Sequence, residues 1–224
     1  RNAGDVVELQ GATVTSNNGD VTITQILTMD INNQFHDSSA IDAKGNINLN
    51  VLGTGENIKG ESFEALTYGG RLNLAAANDI ILESQDWDIK KVNFNAVHDT
   101  LISSTGKVNL NDTVFNSGNK NVISAVGNLL IQNAMNIQQG ATTLTGGTVK
   151  TDVNGVINAN SNKLAVNANT DIDIAFTGVD NKNKGLEINA GVNTANGNGD
   201  RLNGKNVTLE AKDGKMALAK VKAD

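Results

Sequence analysis

Apolar and polar residues alternate in short runs along this chain, with polar corners between the runs. In residues 70–84, GRLNLAAANDIILES, Leu72 and Leu74 alternate with Asn73 and Ala75. The pair Asn78-Asp79 then interrupts, and Ile80 and Leu82 resume the alternation. A period of two marks a strand with one buried side. Alone, this stretch reads as a hairpin or as two strands around a corner. Looser copies recur at VTIT (21–24), GNINLN (45–50), VNFNAV (92–97), GKVNLN (106–111), GNLLIQNAMNIQQGA (127–141), GLEINA (185–190) and KNVTLEAKDGKMALAKVKA (205–223). By eye, 127–141 aligns with 70–84.

The glycines that open these runs carry a period. Gly19, Gly45 and Gly70 are 26 and 25 residues apart, and Gly106, Gly127 and Gly147 are 21 and 20 apart. Two or three short strands per period, with corners of Gly, Asn and Asp, fit the coils of a parallel β-helix. Alternate side chains then point into a lumen and stack on their counterparts one coil away, about 4.8 Å along the axis. Corner asparagines tolerate left-handed dihedrals and form amide ladders. The chain is expected to be one β-helix segment over residues 1–224, with an irregular insertion near 51–69 in which 61–66 fits a helical turn. On this reading Leu72, Leu74, Ile80 and Leu82 are lumen rungs and Asn78-Asp79 is a corner.

Composition supports a thin core spread along an axis. Hydrophobic residues are 38% and aromatics 3%, and proline is absent. A sandwich of this length would carry more aromatics and some proline. An α/β fold would need amphipathic helices between strands, and a left-handed hexapeptide helix would need an apolar residue every six positions. Neither pattern is present. The net charge of −6 with scattered Lys and Arg argues against nucleic acid as a partner. Without cysteine there are no disulfides, thiolate metal sites or Cys nucleophiles. No apolar run is long enough for a spanning helix.

Candidate chemistry is sparse. Asp86-Trp87-Asp88 sets two carboxylates about 7 Å apart on one side of a strand, beside the only Trp. That is the residue set of an inverting glycosidase pair with a sugar-stacking ring. The plainer reading has solvated acids and Trp87 in the lumen. Asp171 and Asp173 repeat the acid spacing without an aromatic. His36 and His98 are the only histidines. His98-Asp99-Thr100 has the residue types of a triad, but sequence neighbours rarely converge as one. The segment 196–200, NGNGD, departs from the calcium-binding G-x-G-x-D pattern and occurs once. Phe63 and Tyr68 lie in the irregular insertion, and with Trp87 they are the expected partner contacts. No cofactor or metal is expected.

With GRLNLAAANDIILES, GNLLIQNAMNIQQGA and KNVTLEAKDGKMALAK in view, the chain resembles the haemagglutinin repeats of filamentous haemagglutinin-like exoproteins. These are the large partners of bacterial two-partner secretion, and they include adhesins and contact-dependent growth inhibition effectors. The resemblance covers most of the chain, best at 70–84 and 120–223. It implies a right-handed parallel β-helix, secreted and displayed at the bacterial cell surface as part of a longer fibre. The Asn-Pro motifs of the secretion domain and the Val-Glu-Asn-Asn motif before the toxin are both missing. The piece therefore resembles a shaft or a middle, receptor-contacting region. The expectation is a monomeric, non-enzymatic structural and adhesive segment. Its expected partners are a receptor or glycan on a host or neighbouring cell and, during secretion, an outer-membrane transporter. The alternatives are the receptor-binding region of a growth-inhibition effector and, more remotely, a polysaccharide-cleaving β-helix enzyme.

Overall fold

The computed structural model describes residues 13–16, 18–30, 40–43, 45–61, 70–180, 185–190, 206–213 and 218–222. All regular structure among them is strand, and every pairing is parallel. The strands stack as a β-solenoid with three faces. One coil shows the plan: Trp87–Lys90 lies on face one, Val92–Ala96 on face two and Asp99–Ser104 on face three. The next coil traverses the same faces as 108–111, 113–117 and 120–125, within one continuous strand, Val108–Ala125.

Register is direct between successive coils. On face two, Ile47, Leu72 and Val92 pair in turn. On face three, Ile80 pairs with Thr100, and Thr100 with Asn121. The period-two pattern fixes which side chains turn inward. Leu49, Leu74, Ile80 and Leu82 are completely buried and Leu72 nearly so, as lumen rungs. Phe94 and Phe115, one coil apart, stack at 4.8 Å between ring centroids and 20° between planes. Burying such side chains stabilises the fold by about 1.5–3 kcal/mol each. The lumen is not wholly apolar. Thr100, Ser117, Asn121 and Thr142 are buried near the turn from face two to face three. There the Thr100 and Ser117 hydroxyls are 2.7 Å apart, and the Asn121 amide donates to Thr142 Oγ1 at 3.1 Å.

The corners correct two expectations. Gly19, Gly45 and Gly70 precede face-two strands, whereas Gly106, Gly127 and Gly147 precede face-one strands. The two series keep a coil period but sit on different corners. For the same reason 127–141 does not superpose on 70–84: residues 129–132 lie on face one, and Leu72–Ala76 on face two. Gly45 and Gly70 of the first series and Gly106 of the second are sterically required, whereas a Cβ on Gly19 meets only Ser16 Oγ at 3.9 Å. A Cβ on Gly70 would lie 2.3 Å from the Gly45 carbonyl oxygen, and one on Gly106 2.6 Å from that of Gln85.

The corner from face one to face two is a single left-handed residue in three successive coils: Lys91, Asp112 and Asn133, with φ of 54°, 53° and 55°. Asn and Asp adopt this region readily, and Lys does so less often. The irregular insertion is shorter than 51–69, because Ile58–Glu61 is a strand on face three, with Ile58 fully buried. That strand takes Glu61 out of the expected helical turn, whose remainder lies outside the described residues.

Candidate functional site

The polar residues of the corners form inter-coil staircases. An Asx side-chain oxygen accepts the backbone N–H of the equivalent residue one coil further on. Asp20 Oδ1 accepts from Asn46 N at 2.7 Å, and Asn46 Oδ1 from Arg71 N at 2.9 Å. Asn57 Oδ1 accepts from Asp79 N at 2.9 Å, and Asp79 Oδ1 from Asp99 N at 3.0 Å. Asp86 Oδ1 accepts from Lys107 N at 2.8 Å. Each contact satisfies a backbone donor that the turn leaves without a ladder partner. Asn78-Asp79 is thus a corner, and its side chains help bind three coils together.

A polar cluster grows from this staircase at the turn from face two to face three. His98 Nδ1 lies 3.1 Å from Asp79 Oδ1 and 3.5 Å from Asp99 Oδ2. Asn119 Nδ2 donates to Asp99 Oδ1 at 2.9 Å, and Lys120 Nζ lies 3.5 Å from Asp99 Oδ2. Asp79, His98 and Asp99 have ligand atoms close enough to share an ion. Every carboxylate oxygen of the pair already faces a donor, however, because Asn78 Nδ2 lies 3.3 Å from Asp79 Oδ2. Lys120 also brings a positive charge to the same place. The chemistry of the cluster is that of a corner lock. Thr100 takes no part in it: its hydroxyl is buried against Ser117 while His98 is exposed. His98-Asp99-Thr100 therefore does not converge as a triad.

The other sequence candidates fall as follows. Trp87 is 1% exposed, and its indole N–H donates to the Ser103 carbonyl at 3.0 Å. The expectation of Trp87 as a partner contact is thereby corrected, because its ring fills the lumen. Asp86 and Asp88 are exposed on face one. The positions stacked on Asp88 in the next two coils are Asn109 and Leu130, so no second acid joins it from there. Asp173 is exposed, and Asp171 Oδ1 accepts from Asn206 N at 3.1 Å. Phe63, Tyr68, His36 and the segment 196–200 lie outside the described residues.

Two features escaped the sequence reading. Asparagine ladders run up mid-strand outward positions as well as corners. Asn93 donates to Asn73, and Asn73 to Asn48, each at 2.7 Å. Asn48 donates to Thr22 at 3.1 Å. Arg71 closes this ladder: its Nε donates to Asn93 Oδ1 at 2.7 Å, and its Nη1 pairs with Asp112 Oδ2 at 2.9 Å. Regular N-x-N alternation in 48–50 and 93–95 was the available signal. The second feature is a pair of open clefts on face two. One, of ≈ 420 Å³, has Leu52 and Val97 on its rim, and the other, of ≈ 490 Å³, lies further along beside Gln138 and Asn160. Compared with protein-family models, curated proteins and solved structures, the chain matches none of them.

Proposed function

We propose that this chain is a non-enzymatic structural and adhesive shaft segment of a large secreted bacterial surface exoprotein of the filamentous haemagglutinin-like kind. The observation that carries the reading is inter-coil satisfaction of polar groups. Corner carboxylates, amides and backbone donors bind the next coil, as Asn57, Asp79, Asp99 and Asn119 do in succession. Such groups are committed to stiffness along the axis, which is what a spacer requires. The residue types that suggested glycoside cleavage stay apart, with Trp87 in the lumen and Asp86 engaged in a corner. Exposed Leu52 and Val97 favour the second reading, the receptor-binding region of a growth-inhibition effector.

An in-phase deletion separates the two. Removing residues 99–119 joins His98 to Lys120, which occupies the register position of Asp99. In the surface-displayed protein, a shaft segment tolerates this loss, keeping display and target-cell adhesion. Loss of adhesion with display intact contradicts the shaft reading in favour of receptor binding. Release of unsaturated or reducing ends from acidic polysaccharides by the purified chain contradicts the non-enzymatic part.

A further inference from the structure

Charge is distributed unevenly around the solenoid. Every outward strand position of face two from 48 to 158 is Asn, Gln, Ala or Val. Face one carries Asp88, Lys90, Lys150 and Asp173 outward, and face three carries Lys59, Glu83 and Glu187. At the corner leading into face two, Arg71 and Asp112 neutralise each other at 2.9 Å, with Lys91 in the coil between them, and the Asp213 carboxylate accepts from Gly178 N at the edge of the second cleft. Both clefts lie on this uncharged face.

We propose that face two binds an uncharged polysaccharide lying along the solenoid axis. Charge complementarity selects the occupant. An anionic glycan or nucleic acid would meet no cation in either cleft and would lose hydration without return. An uncharged glycan needs hydroxyl partners and small apolar contacts, and the face offers both. A primary amide has two N–H donors and an oxygen with two lone pairs. The Asn48–Asn73–Asn93 ladder spends one donor and one lone pair per linked rung, leaving the others for hydroxyls. Leu52 and Val97, 66% and 71% exposed, supply apolar contact for the C–H side of a sugar ring. The rungs recur about every 4.8 Å, so a repeating surface faces a repeating ligand. This names the ligand class for the adhesive half of the reading above and rests on it.

The test is isothermal titration of the purified 224-residue chain against dextran, galactomannan and xyloglucan, with heparin and alginate as charged comparators. The expected result is binding to at least one uncharged polymer and to neither charged one. Asn95→Asp and Val97→Asp each place a carboxylate on the rim of the first cleft and should weaken binding at least tenfold. Lys59→Gln on face three should leave it unchanged. Far-UV circular dichroism and Trp87 fluorescence check the fold of each variant. Binding only to heparin or alginate overturns the proposal, as does affinity indifferent to both cleft variants. Absence of binding throughout overturns it too. So does sedimentation showing a dimer that Val97→Asp disperses without any glycan binding, which would make the occupant a second copy. A β-rich spectrum without glycan binding removes this proposal and leaves the shaft, whereas a helical spectrum removes the shaft itself.

Discussion

The stacked pair Phe94 and Phe115 allows the coupling between coils to be measured. Both rings are fully buried, at 4.8 Å and 20°, on consecutive coils of face two. Phe94→Leu and Phe115→Leu keep the lumen apolar and most of its volume, so each swap should cost under about 1.5 kcal/mol in packing. Each also removes the same ring–ring term, about 0.5–1.5 kcal/mol beyond area burial. The double variant loses that term once, so the cycle should return a coupling of about 0.5–1.5 kcal/mol. Phe176 provides the control, since it lies on the same face but stacks against Ile157. Phe94→Leu and Phe176→Leu should add within about 0.5 kcal/mol. Guanidinium unfolding followed by Trp87 fluorescence suits the measurement, because this buried indole belongs to the Phe94 coil. Additivity for Phe94 with Phe115, or equally strong coupling for Phe94 with Phe176, would refute nearest-neighbour stacking as the source of stability.

Other perturbations read the corners. Gly70→Ala forces a Cβ to 2.3 Å from a backbone oxygen and should destabilise by about 1–3 kcal/mol in the same unfolding assay. Gly19→Ala, whose nearest atom is Ser16 Oγ at 3.9 Å, should stay within about 0.5 kcal/mol. Asp79→Ala strips the acceptor from the Asp99 N–H and should cost about 1–3 kcal/mol. Asp79→Asn keeps an oxygen there and should recover most of that loss in chemical denaturation. Arg71→Ala opens the end of the asparagine ladder. The pair is partly exposed, so its loss should register as a shift of about 1 kcal/mol or less that shrinks in high salt.

The parallel stacking was legible because period-two alternation and coil-spaced glycines report the same geometry at two scales. Leu72, Leu74, Ile80 and Leu82 were placed inward from alternation alone, and they are buried. Which face a strand occupies was not legible, because all three faces carry the same inward-outward rhythm. Phase depends on corner length, and the shortest corner is one left-handed residue. Lys91 gives no sign in its residue type that it fills such a position, so the Gly106 series was aligned with the wrong corner. Trp87 had two readings, a sugar-stacking ring beside two acids and a lumen residue, and its burial bears out the second. The same alternation that exposes Asp86 and Asp88 turns Trp87 inward. Cleft geometry depends on how outward residues of several coils assemble, which no single repeat encodes.

Parallel register is tested most directly by crosslinking. The chain has no cysteine, so any disulfide formed by an introduced pair is unambiguous. Leu101 faces Val122 on one side and Ile81 on the other, at parallel-strand spacings of about 4.8 Å, within disulfide reach. Leu101→Cys with Val122→Cys, and separately Leu101→Cys with Ile81→Cys, should each oxidise to an intramolecular bridge under mild conditions. Residues two places out of register lie about 7–8 Å away on the diagonal, so Leu101→Cys with Ser124→Cys should stay reduced. Failure of both in-register pairs in a folded chain, or preferential bridging of the out-of-register pair, would contradict the solenoid.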